Sequence, residues 1–370
     1  MAIGTSSRAL LAGWLSLAAS QDRPRTSYRD DLVTVGVGMW LTLGVFVDGW
    51  AHNTRGDTLE SFFTPWHALF YSGFIACAAW IGWLIGRQRG QGRLGMAAIP
   101  IGYELGALGV VIFGFGGLGD MIWHTVFGIE VDLKALLSPT HLMLFLGAFL
   151  ILTCPLRAGW ATYSSAPTLK ALLPALLSML AAACFVYFMG MFLWAPLDAF
   201  YADNVGELAR RYGPDAARRI VRVDEAYGVT EVLLTNALLL GPILLLMRRW
   251  RLPFGSATIL FGVSSLLMQA VDGMRSPEQV LIALATGLIG DCLIGALRAT
   301  PERDGPFRVI GAIVPLVFWS LYFLAGQVVL GIRWAPEIWT GSIVLAMLSG
   351  VGLSVLAAPP SIPVSGGVED

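Results

Sequence analysis

The sequence predicts an all-α membrane protein, a polytopic bundle of about ten transmembrane helices. Three observations carry this. Mean hydropathy is +0.70, with 56% hydrophobic and only 13% charged residues, whereas about a quarter of the residues of a soluble globule are charged. Apolar runs recur at roughly the 20 residues that a helix needs to cross a bilayer. The basic residues fall on alternate loops, as the positive-inside rule requires.

Ten spans follow in order, at about 32–51, 65–86, 98–124, 139–156, 170–195, 229–247, 254–272, 277–297, 308–330 and 337–357. Ahead of them, stretch 8–20 faintly resembles a signal peptide. Its apolar run is short and polar chain follows it, so segment 1–31 reads as an interfacial or disordered cytoplasmic segment. With the N-terminus inside, fifteen Lys and Arg residues fall in inner segments. Only Arg55, Lys134, Arg275 and Arg333 fall in short outer loops. Five more arginines (Arg210, Arg211, Arg218, Arg219, Arg222) lie in the long outer segment 196–228, where charge has little influence on translocation and where their spacing suggests an amphipathic surface helix.

Both termini are therefore expected in the cytoplasm, with 358–370 a disordered C-terminal tail. Segments 32–86 and 98–157 form two helical hairpins in one unit, 32–157. The rest of the bundle occupies 158–357. Two lysines against twenty-two arginines point to a GC-rich bacterial genome, and so to a bacterial cytoplasmic (inner) membrane.

The chain's four histidines all fall within two copies of one pattern. The first places Asp48 and His52 at the outer end of the first span and His67 at the start of the second. The second places Asp120 and His124 at the end of the third span and His141 at the start of the fourth. The spacings are Asp-x3-His-x14-His and Asp-x3-His-x16-His. Asp and His four residues apart share one face of a helix. Thr64-Pro65 and Ser138-Pro139 are helix-start signals, an N-cap followed by proline in the first position, so His67 and His141 fall in first turns. An antiparallel hairpin then brings three ligands to one depth. Two His and one carboxylate leave coordination positions open on a metal, and the neutral imidazole is the form that binds one. The two copies can make two mononuclear sites or one dinuclear site.

Other features weigh less. The loop carboxylates Asp57, Glu60, Glu130 and Asp132 are expected as supporting groups or an entry path. Glu231 and Asp198 lie towards the outer face and are candidate extra ligands or part of a lid from the long outer segment, whereas Glu104 and Asp291 lie towards the inner face and suit helix–helix hydrogen bonds. The aromatic stretch 185–194 is a candidate pocket lining, with lipid-facing or core packing as its alternative. The four cysteines are scattered, without metal or redox spacing. A net charge of −1 and the lack of any nucleic-acid motif exclude a nucleic-acid partner. The simplest competing account of the six residues is a structural His–Asp network or a proton relay.

The Asp-x3-His pair followed by a second His resembles the metal site in the C subunit of particulate methane and ammonia monooxygenases, which implies copper held by Asp48, His52 and His67, and again by Asp120, His124 and His141. Over its whole length, including DGWAHN, FFTPWHALFYSGF, HTVFGIE and LSPTHL, the chain is similar to an uncharacterised family of bacterial multi-pass membrane proteins. The leading expectation is a copper membrane protein with oxygenase-like chemistry, acting on a small apolar substrate. The alternatives are acquisition, delivery or transport of copper or zinc. Zinc and non-haem iron are the alternative ions, and paired-histidine haem ligation is a weaker option. Expected partners are the lipid bilayer, further membrane subunits or a periplasmic copper protein.

Overall fold

The computed structural model describes residues 23–55, 62–128, 133–193, 205–300, 302–329 and 331–359. Among these the regular structure is helical throughout, without a strand. The helices are α1 (Tyr28–Arg55), α2 (Pro65–Gly90), α3 (Glu104–Phe127), α4 (Leu133–Leu137), α5 (Pro139–Leu152), α6 (Cys154–Thr162) and α7 (Leu169–Met189). They continue as α8 (Val205–Tyr212), α9 (Pro214–Arg249), α10 (Ser256–Val271), α11 (Glu278–Ala296), α12 (Asp304–Val329) and α13 (Pro336–Ala357).

Nine described segments are long and apolar enough to cross a membrane, and α5 and α6 act as one of them. The expected seventh span is the exception. Its helix α10 has 16 residues, about 24 Å at 1.5 Å per residue, short of the roughly 30 Å hydrocarbon core. Gly255 before it and Gly273 after it both take positive φ, which bounds the helix on either side. Arg210, Arg211, Arg218, Arg219 and Arg222 are helical, as expected, but they divide between α8 and the first turns of α9. Helix α9 runs unbroken for 36 residues into the sixth span.

The chain divides into two compact units. One comprises the described residues to Tyr163 together with Lys170–Met189 and Ala270–Gly273; the other holds most of the remainder. In the first unit α1 pairs with α2, α3 pairs with α5, and α2 lies against α3. Both hairpins close through glycine. A Cβ on Gly44 would lie 2.7 Å from Phe70 Cα, and one on Gly73 would lie 2.7 Å from Leu41 Cα. A Cβ on Gly147 would lie 2.7 Å from the backbone nitrogen of Phe113. The helices therefore touch main chain to main chain, the small-residue packing that membranes favour.

At the N-terminal end of α1, Ser27 and Asp30 cap the helix reciprocally. Asp30 accepts two hydrogen bonds from the Arg87 guanidinium at 2.8 and 3.1 Å. Buried Asp31 accepts from the Tyr103 hydroxyl at 2.8 Å. Glu104 forms an ion pair with Arg23, which precedes the first span, so its partner is not another helix. Asp31 and Asp48 are separated by about 26 Å of α1. Buried Leu41, Val45, Phe70, Ile81 and Phe113 fill the layer between the two polar ends.

In the second unit α9 packs on α13, α12 on α13 and α11 on α12. Asp291 of α11 accepts from the backbone N–H of Ala257 and Thr258 at 2.9 and 3.0 Å, satisfying the first turn of α10. It thus serves the interhelical role expected of it.

Candidate metal centre

All six predicted ligands gather at one end of the first unit, as two triads. In each triad one ligand atom from every residue lies within 4.8 Å of the other two. Ligands bound at about 2.0–2.2 Å stand up to roughly 4.4 Å apart, so small side-chain rotations close either set around an ion. In the first triad Nε2 of His67 is 3.6 Å from Asp48 Oδ2, and that of His52 is 3.9 Å from the same oxygen. In the second, Nε2 of His124 and His141 are 3.4 and 3.0 Å from Asp120 Oδ1.

The local sequence aims the rings. Thr64 caps α2, accepting the His67 backbone N–H at 3.1 Å, and its hydroxyl is also 3.0 Å from His67 Nδ1. Ser138 repeats this at α5, with 3.4 Å to the His141 backbone nitrogen and 2.7 Å to its Nδ1. One hydroxyl has two lone pairs, so a single side chain starts the helix and also holds Nδ1, leaving Nε2 to face the carboxylate. Holding the distal nitrogen in this way orients a metal-binding imidazole.

His124 makes the clearest case. Its Nδ1 lies 3.3 Å from the Gly128 carbonyl, which can only accept, so Nδ1 carries the proton. In the neutral ring Nε2 then presents a lone pair. That atom is buried, has no hydrogen-bond partner, and faces Asp120 Oδ1. Two lone-pair groups set against each other inside a protein require a cation or a proton between them. Buried Asp48 Oδ1 likewise has no hydrogen-bond partner. The residues present therefore fit a metal ion in both triads.

The triads are adjacent but unequal. His52, His67, His124 and His141 form a row with successive ring centroids 5.5, 5.9 and 5.5 Å apart. Asp120 is 1% exposed and is also held by the protein: the Tyr71 hydroxyl donates to Oδ2 at 2.7 Å and Thr140 donates to Oδ1 at 3.4 Å. Phe62 stacks on His67 at 5.1 Å and reaches His124 at 6.0 Å. Tyr71 and Phe62 are neighbours of the triads that spacing alone did not single out. Tyr71 had a signal, since it lies four residues after His67 on the same helical face; Phe62 had none.

Other expected contributors fall elsewhere. Asp57, Glu60, Glu130, Asp132 and Asp198 lie outside the described residues, as does most of segment 1–31 and of the tail 358–370. Glu231 is buried in α9 of the second unit and belongs to neither triad. In the 185–194 stretch, Phe185 packs on Phe145 and Phe188 packs on Phe46. The cavity that reaches the site is a different one, between α2 and α3.

Fold and site together define a polytopic membrane-helix protein with two adjoining Asp-His-His clusters capable of binding metal. The chain matches no family model, no curated protein and no solved structure.

Proposed function

We propose that the chain is a copper protein of the bacterial inner membrane, with both triads at the extracytoplasmic face and oxygenase-like chemistry on a small apolar substrate. The observation that carries the metal reading is the buried Nε2 of His124, unpartnered and facing the Asp120 carboxylate at 3.4 Å. Imidazole nitrogens suit copper as they do zinc and iron, and three protein ligands leave positions for oxygen or substrate; copper is preferred among these on the resemblance of the Asp-x3-His and second-His pattern to the monooxygenase site. Bound copper would supply redox chemistry with O2. The protein's own residues hold Nε2 of His67, His141 and His124 inward, through Thr64, Ser138 and the Gly128 carbonyl respectively. The apolar layer between the triads and the Asp30–Arg87 end supports a metal held at one face over continuous transport. Non-catalytic acquisition or delivery of copper or zinc, through a further subunit or a periplasmic copper protein, uses the same ligands.

A second reading is favoured by one feature, the protein hydrogen bonds that already hold Asp120. A protonated His141 Nε2 donating across 3.0 Å would complete a structural or proton-relay network without metal. Metal content of the detergent-purified chain, measured by plasma mass spectrometry beside His52→Ala and His124→Ala, decides between them. The metal reading expects one to two equivalents of copper in the wild type and less in each variant. Equal and negligible metal in all three, after expression with ample copper, iron and zinc, supports the network instead.

A further inference from the structure

A cavity of about 660 Å³ lies between α2 and α3, within the range of small-molecule sites. Phe62, Tyr71, Phe74 and Phe113 supply aromatic walls, and His67 of the first triad is part of the lining. Tyr71 links the same space to the second triad, because its hydroxyl donates to Asp120. The cavity thus borders one triad directly and the other through a single side chain.

Three further observations define the guest. The hydroxyls that line the cavity are engaged, Thr64 with His67 and Tyr71 with Asp120. A polar guest would lose its water without finding ready donors, which is costly. Ile75 and Leu118, also in the lining, are 64% and 54% exposed, and exposed apolar side chains on a membrane span face hydrocarbon. The entrance therefore opens to the phase in which apolar molecules concentrate. Along α3 the lining runs from Phe113 to Met121, about 12 Å of helix, which suits a compact molecule.

We propose that this cavity binds a compact, lipid-soluble hydrocarbon, admitted sideways from the bilayer and held against His67. As the substrate site of a copper centre the assignment rests on the function proposed above; as a binding site it stands on the cavity alone. Gly114 provides the means of testing it. A Cβ at this position would meet only Phe74 Cζ, at 3.9 Å, and Gly114 itself lines the cavity, so a side chain here has room to project into that space. Replacing a helical glycine also favours the helix.

The full-length protein in phosphatidylcholine nanodiscs is photolabelled with a small trifluoromethyl-phenyl diazirine, and labelled peptides are read by mass spectrometry. Copper content is measured on the same preparations, with and without prior chelation. The proposal expects saturable labelling of peptides containing 62–75 and 113–121, displaced by toluene, at least tenfold weaker in Gly114→Phe and within twofold of wild type in Gly114→Ala. General labelling of other spans should not change. Labelling that rises linearly with probe and is equal in Gly114→Phe overturns the proposal. Saturable labelling displaced by added oleate but not by toluene also overturns it, in favour of a lipid acyl chain. Because the labelling does not need copper, saturable labelling of a wild type that carries no copper even before chelation would retain the binding site and remove the metal function. Copper without saturable labelling would do the reverse.

Discussion

Replacing Thr64 by alanine separates the two tasks of one hydroxyl. Its oxygen accepts the His67 backbone N–H at 3.1 Å and lies 3.0 Å from Nδ1 of the same residue. Loss of an N-cap costs about 1 kcal/mol of stability. Loss of the group that orients a metal-binding imidazole costs roughly 10- to 100-fold in affinity, or about 1.4–2.8 kcal/mol. The expected outcome is a modest fall in thermal stability with a 10- to 100-fold weaker copper Kd, while Thr64→Ser stays near wild type. The assay is competition against a chromophoric chelator, in a His141→Ala background so that the first triad alone is read. Ser138→Ala, read in a His67→Ala background, should divide its effects differently. There the ring contact is short at 2.7 Å and the cap contact long at 3.4 Å, so affinity should suffer more and stability less. If Thr64→Ala binds copper within twofold of its parent while His67→Ala does not bind, the orienting role assigned to the hydroxyl is wrong.

Three more expectations follow from the same geometry. With both triads loaded, Cu(II) electron paramagnetic resonance should show spin–spin broadening, because His67 and His124 stand 5.9 Å apart; His124→Ala should give a narrow, isolated signal. Tyr71→Phe removes a donor to a carboxylate, a bond worth about 1.5–3 kcal/mol, and should weaken copper binding at the second triad about tenfold with the first little changed, as read by chelator competition in single-triad backgrounds. Gly44→Val forces a side chain into a backbone 2.7 Å away, an overpacking cost of about 1–3 kcal/mol. It should deplete metal from the first triad, whereas Gly82→Ala, which meets nothing within 4 Å, should leave metal content unchanged.

Much of the site was legible because it rests on local rules. Four-residue spacing placed Asp48 with His52 and Asp120 with His124, and Thr64-Pro65 and Ser138-Pro139 announced the helix starts that position His67 and His141. A further regularity was present in the sequence but gains meaning only in the fold. Gly44 and Gly116 each lie four residues before the triad aspartate, and each sits against the backbone of the helix that carries the triad's second histidine. Contacts between hairpins were not legible, since Tyr71 and Asp120 are 49 residues apart and no local rule relates them. The shortness of α10 escaped a hydropathy reading because apolar length alone does not register where Gly273 turns the chain.

On the metal reading proposed above, the glycine contacts bear on ion selectivity. Where two helices meet main chain to main chain, no intervening rotamer can change to bring the helices closer or let them part. The two sides of each triad are thus mounted on a frame of fixed gauge, and only side-chain torsions remain to adjust the ligand spacing. A frame of this kind discriminates among ions by the bond lengths and angles they tolerate. Loosening it at Gly44 or Gly147 should broaden the range of metals accepted before it abolishes binding.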